Sequence, residues 1–146
     1  MGFASAAAAL QARFEDLTLG FPFYRPTVPW VVENESRQEP DSGSWPSWAR
    51  WQVREGETRQ VALGIGGVPT RRFRTPGLVI VSIFVPPGSG IMRVREIADD
   101  VATIYRDVKI PSDRIICRAP RFEDVGPTGA WYQGLVIAPF FFDLLV

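Results

Sequence analysis

Leu78-Val79-Ile80-Val81-Ser82-Ile83-Phe84-Val85 is apolar at seven of its eight positions and dominated by β-branched side chains. A run this short and this apolar on both faces reads as the central strand of a sheet. It is roughly half the length a helix needs to span a bilayer. Pro86-Pro87-Gly88 stops it, and Val94, Ile97, Ala98, Val101, Tyr105 and Val108 then recur at helical spacing until Pro111. Upstream, Trp48 to Arg54 and Val61, Leu63, Ile65 alternate about the Glu55-Gly56-Glu57 turn signal, which predicts a hairpin. Arg71 to Arg74 reads as a third, short polar strand. Downstream, Ile115 and Cys117 predict a strand, a loop runs through Gly126-Pro127-Thr128-Gly129, and a last strand covers Trp131 to Ala138. At the N-terminus, Phe3, Ala7, Leu10, Phe14 and Leu17 mark an amphipathic helix in an alanine-rich segment. The order α, β, β, β, β, α, β, β predicts one α+β domain over residues 1–146, a mainly antiparallel or mixed sheet with two helices on one face and a projecting β-hairpin. A long Pro-rich loop at about 18–46, most mobile in aspect over 36–44, and an apolar C-terminal tail at 140–146 complete it.

Composition narrows the function. A chain of 146 residues buries roughly 68% of its unfolded surface, enough for one core. Apolar residues at 46% and charged residues at 22% exclude a wholly disordered chain. Sixteen basic and sixteen acidic residues cancel, which excludes a globally basic nucleic-acid coat. The absence of histidine removes His-based triads, His metal sites and the imidazole switch. Cys117, alone, closes no intrachain disulfide and reads as a buried small hydrophobe suited to a reducing compartment. The first residues carry neither a secretory nor a myristoylation pattern, and Asn34-Glu35-Ser36 is read as a chance sequon.

Motifs that could carry chemistry fall short. Gly88-Ser89-Gly90 has the outline of a phosphate loop, but no Lys-Ser or Lys-Thr follows it and the only lysine is Lys109. Both it and Gly64-Ile65-Gly66-Gly67 are read as turns. Glu96, Asp99 and Asp100 share a helix face with Arg93 and Arg95 at ion-pairing spacing, the mark of a solvated surface rather than a cation site. No catalytic, cofactor or metal residue is assigned.

Arginine is more informative, because it supplies fifteen of the sixteen basic residues and its planar fork suits interfaces. Codon bias toward arginine with pairing inside the subunit is the plain alternative. Arg50, Arg54, Arg59, Arg71, Arg72 and Arg74 stand against Glu55 and Glu57, a local net of +4, while residues 1–49 carry a local −3. Opposite-sign regions of this kind suit contacts between neighbouring copies. The ending Phe140-Phe141-Phe142-Asp143-Leu144-Leu145-Val146 holds one carboxylate in an apolar stretch. Phe140 to Phe142 are expected to extend the sheet, and Leu144, Leu145 and Val146 to touch another chain. Alternation is expected to turn Trp131, Leu135 and Ile137 toward a core shared with Ile80, Phe84, Ile97 and Val101.

Several segments together resemble the tail terminator proteins of tailed bacteriophages. They are Pro29-Trp30-Val31-Val32-Glu33-Asn34, Arg59-Gln60-Val61-Ala62-Leu63-Gly64, Pro76-Gly77 with the 78–85 run and Pro86, Ile97-Ala98-Asp99, Arg118-Ala119-Pro120 before Val125-Gly126, and Trp131-Tyr132-Gln133 leading to Pro139-Phe140. The chain departs from that pattern in its apolar end beyond Asp143 and its long acidic loop. The resemblance implies a non-enzymatic virion protein without cofactors, located at the head–tail junction and in the host cytoplasm during assembly. Its implied form is a homo-oligomer, a hexameric ring that caps the head-proximal end of the tail tube, ends tube polymerisation and offers a joining surface. The implied partners are the tail tube protein and the head–tail connector protein, with no membrane and no sequence-specific nucleic acid, the lumen leaving passage for DNA. A head-completion or connector protein of the neck is the alternative within structural proteins, and a small cytoplasmic ligand-binding domain is the alternative outside them.

Overall fold

In the computed structural model, residues 2–20, 28, 30–34, 47–62 and 71–145 are described, with 16–20 as backbone only. Most of the 18–46 loop, the turn at 64–67 and Val146 lie outside the described residues.

The run that decides the fold is the second half of a longer strand, β4 (Arg72–Val85). Its partner along all fourteen positions is β8 (Trp131–Leu145), antiparallel from Arg72 opposite Leu145 to Val85 opposite Tyr132. On its other side β4 pairs first with β3 (Arg59–Ala62) and then with β2 (Trp48–Glu55), both antiparallel. β8 is flanked in the same divided way by β6 (Ile115–Cys117) and β7 (Arg121–Thr128). Two short strands finish the edges: β1 (Trp30–Val32) pairs parallel with β2, and β5 (Lys109–Ile110) pairs with β6. The sheet is mixed and open, with path β1-β2-β4-β8-β6-β5.

Two expectations change here. β2 and β3 do not pair with each other; they lie end to end along β4, so the hairpin reverses between Ala62 and Arg72 instead of at Gly56. The cause lies at Pro76. Its carbonyl accepts a 2.8 Å bond from the Gly56 amide, so its nitrogen, on the same side of the strand, faces the gap between β2 and β3 where no ladder donor is needed. The 55–57 segment is therefore a bulge, closed by a 2.7 Å contact between the Thr58 and Thr75 hydroxyls. Polar 71–74 and apolar 78–85 form one strand, since the first part leaves the core and the second crosses it. The second change is β7, which sequence reading leaves as loop because Gly126 and Pro127 interrupt it. The register shift between Asp124 and Gly126 absorbs that interruption.

α1 (Phe3–Gly20) and α2 (Gly90–Tyr105) cover one face. α2 opens at Gly90, which like Gly88 lies near φ +80°, where glycine avoids the Cβ clash. The Ser89 hydroxyl donates to the Pro86 carbonyl at 2.7 Å, so the loop closes on itself as a turn. Val94, Ile97, Ala98, Val101, Ile104 and Tyr105 face inward from α2, and Ala6, Leu10 and Phe14 from α1. The Tyr105 hydroxyl ties the layers together, donating to the Leu10 carbonyl at 2.7 Å and accepting from the Trp51 indole at 3.0 Å. Arg13 Nε donates to the Ile104 carbonyl at 2.7 Å near the end of α2. Among the described residues no helix is long and apolar enough to cross a membrane.

The helix-side core takes Val79, Val81, Ile83 and Val85 from β4 and Val136, Ala138, Phe140 and Phe142 from β8, together with Ile97 and Val101. Trp131, Ile137, Ile80, Phe84 and Leu135 have the opposite parity and lie on the other face, a correction to the expected core. Trp131 and Phe84 pack there with Val31 and Trp48, the Trp48 and Phe84 rings stacked at 4.2 Å. Both parities of 78–85 and 131–142 are apolar, so alternation grouped these side chains correctly but left open which group meets the helices.

Candidate functional site

The face away from the helices carries the arginines. Register sets Arg50, Gln52 and Arg54 of β2 opposite Ser82, Ile80 and Leu78, Arg59 of β3 opposite Arg74, and Arg72 and Arg74 opposite Leu145 and Asp143. Since directly paired residues share a face, five of the six arginines singled out in the sequence come together on this open side. Between them run half-exposed apolar side chains: Leu78, Ile80, Leu135, Pro139 and Phe141.

Like charges directly opposite, as at Arg59 and Arg74, repel unless neutralised. Asp143 neutralises the Arg74 member of this pair from β8. It accepts two bonds from Arg74, Nε to Oδ1 at 2.8 Å and Nη2 to Oδ2 at 2.9 Å, with Arg72 Nε at 3.7 Å. The Arg74 bonds hold the Asp143 carboxyl below the usual carboxylate range although the residue is only 7% exposed. The carboxylate that the sequence left in an apolar tail thus finds its partners inside its own subunit. Of Arg71, Arg72 and Arg74, from which pairing with acids of a neighbour or of the tube is expected, Arg74 has its carboxylate partner within its own subunit.

Arg54 is likewise engaged at home, donating to Glu33 at 2.6 Å and lowering that carboxyl's pKa. The Arg50 guanidinium lies 5.6 Å from the centre of the Phe84 ring. Arg59 meets Glu57 at 3.6 Å with both side chains more than three-quarters exposed, and Arg71 makes no ion pair among the described residues. Leu144 and Leu145 continue β8 opposite Phe73 and Arg72 and are half-buried.

Sequence reading missed Arg118 and Phe141 as a unit. The Phe141 ring holds the Arg74 guanidinium at 4.1 Å and that of Arg118 at 5.4 Å. These groups line a groove of about 530 Å³ with Arg59, Pro76, Leu78 and Pro139. The available signal was the period of two in β8, which puts Phe141 on the face opposite Phe140 and Phe142.

On the helix side, Arg95 donates to Asp124 at 3.0 Å and the Tyr132 hydroxyl to the same carboxylate at 2.6 Å, fastening the β7–β8 hairpin to α2. Ile91 and Met92, 59% and 60% exposed, open α2. Cys117 is buried with its thiol pushed up to about 11 by desolvation, as suits an unreactive core residue.

A family model described as phage tail terminator protein matches residues 5–132. A solved structure that this chain covers over 100% of its own length and 99% of the other superposes with a TM-score of 0.66 at 15% identity, which speaks to fold alone. No curated protein matches the chain.

Proposed function

The chain belongs to the phage tail terminator protein family, a family of phage tail structural proteins, and we propose that it acts as a ring that caps the head-proximal end of the tail tube. In this reading the ring is a hexamer, halts tube polymerisation at the head–tail junction, offers a joining surface to the head connector and performs no catalysis. The observation that carries the reading is the open sheet face, where half-exposed Leu78, Ile80, Leu135 and Phe141 alternate with arginines and lie outside the helix-side core. Apolar area interleaved with arginine is the composition of protein contacts. A closed ring also needs two different patches on each copy, since one copy's patch meets another patch on the next.

The test is the solution mass with negative-stain images, with and without purified tail tubes. The expected result is a particle of six times 16.3 kDa that binds one tube end and blocks further growth. A chain that stays monomeric at all concentrations, alone and with tubes, contradicts the reading. Particles that ignore the tube end and bind the head connector alone favour a neck protein.

A further inference from the structure

Resting on that self-assembly, we propose that β3 of one copy adds to the free edge of β7 of the next, continuing the sheet from copy to copy with Arg59 opposite Glu123. Among the described residues β3 pairs only with β4 and β7 only with β8, so each keeps an unused row of backbone donors and acceptors along its outer edge. All four residues of β3 are exposed, as are six of the eight in β7. Val61 and Val125, each 48% exposed, leave an apolar side chain in water on each of the two strands. The strands that end the path, β1 and β5, are three and two residues long and offer a shorter ladder. When a strand is added to such an edge, the backbone ladder supplies affinity and the side chains choose the partner.

The two edges suit each other in position, sense and charge. β3 flanks β4 and β7 flanks β8, so they lie on opposite sides of the central pair, at least about 14 Å apart at the usual strand spacing. A β3 edge therefore meets the β7 edge of another copy, the head-to-tail contact that a ring repeats. β3 runs in the sense of β8 and β7 runs against it. Rotation about an axis along the strands preserves those senses, so the join is antiparallel like the ladders on either side of it. Residues 121–124 precede the bulge in β7 and match the four residues of β3, and Pro127, which has no amide to donate, falls in the other half. Arg59 shares the open face with its partner Arg74, and Glu123 shares it with Leu135. Asp124 is on the helix side, held by Arg95 and Tyr132, which leaves Glu123 as the acid of β7 on the face of Arg59. Each has only a loose partner at home, Arg59 with Glu57 at 3.6 Å and Glu123 with Arg121 at 3.5 Å, all four side chains more than half exposed. Such contacts are worth little and yield to a directly opposed cross-strand pair.

Cross-linking and hydrogen exchange test this together. A disulfide needs Cα atoms within about 7 Å, so Arg59→Cys with Glu123→Cys in one chain can bond only between copies, and the native Cys117 is buried. Mild oxidation of the assembled double variant is expected to convert at least half of the chains into a ladder of covalent oligomers that ends at the ring mass and collapses on reduction. Each single variant is expected to stay monomeric on the same gel. In wild type, the outward amides of 59–62 and 121–124 are expected to exchange at least tenfold more slowly in the ring than after dilution to monomer, a readout that needs no variant to fold. If wild type forms rings while the folded double variant gives no bond between copies and both strands exchange alike in ring and monomer, the proposal fails and the ring reading stands. Protection of both strands without the cross-link overturns the opposition of Arg59 to Glu123. A covalent dimer from Glu123→Cys alone shows β7 pairing with itself and overturns the proposal. Protection that appears only when tubes are added gives the edges to the tube protein and overturns it as well. A wild-type chain that never assembles removes the ring reading and this proposal with it.

Discussion

The two faces of the sheet draw on the same two long strands and put them to different uses. On the helix side, Val79, Val81, Ile83 and Val85 face Val136, Ala138, Phe140 and Phe142, an unbroken apolar surface closed by α1 and α2. On the open side the intervening positions set Leu78, Ile80 and Phe84 beside Ser82, and Phe141 beside Asp143, with arginines from β2, β3 and β4 among them. The first face stabilises by removing area from water, at about 25 cal/mol per Å². The second does so only where Val31, Trp48, Phe84 and Trp131 pack together, while the exposed ion pairs over the rest of it are worth about 0–1 kcal/mol each. Stability and assembly are therefore separable by face, and substitutions on each side should show it.

The largest effect is expected from Phe140→Ala on the helix side. Loss of a buried phenylalanine costs about 3–5 kcal/mol, seen as a melting temperature lowered by roughly 10 °C for a domain of this size. A melt within two degrees of wild type would place the core elsewhere. Gly77→Ala comes next. A Cβ there would stand 2.4 Å from the Phe140 ring and 2.8 Å from the Arg54 carbonyl oxygen, and the latter is backbone that cannot swing aside. Overpacking of this kind costs about 1–3 kcal/mol, and calorimetry should register it without any new cavity.

Asp143→Asn probes the open side, where removal of a charge-assisted pair costs on the order of 1–3 kcal/mol. The pH dependence has a definite sign. Arg74 lowers the Asp143 pKa in the folded chain, so its contribution is complete above the unfolded carboxylate value and disappears as pH falls through the lower folded one. Denaturant melts of wild type and Asp143→Asn should converge across that acid window, and a constant gap down to the lowest pH would assign the effect to packing. The smallest effect is expected from removing residues 144–146. Leu144 and Leu145 are half-buried at the sheet's end, so the loss should be about 1 kcal/mol, and unfolding of the chain would make this end part of the core.

Much of this architecture was legible in the residues. Both helices followed from 3.6-residue periodicity, and the central strand from 78–85. The hairpin turn was misplaced because Glu55-Gly56-Glu57 carries the composition of a turn, while its actual role depends on Pro76, twenty residues on, which composition does not connect to it. β7 was missed because Gly126 and Pro127 read as loop unless the bulge is known. The face of Trp131 was misassigned because both parities of 78–85 and 131–142 are apolar, and alternation alone does not say which of them meets the helices. At the site, the arginines singled out in the sequence gather on one face of the sheet, but alignment of Asp143 with Arg74 is a property of register. Nothing local to Arg118 showed that it would share an aromatic ring with Arg74.

The most direct test of the two-face account is residue-resolved arginine labelling with phenylglyoxal, comparing assembled with dissociated protein. Arg59 and Arg118 on the open side should become protected on assembly, while exposed Arg106 just beyond α2 keeps its reactivity. Protection of Arg106 with unchanged labelling of Arg59 and Arg118 would place the contact on the helix side and contradict the account.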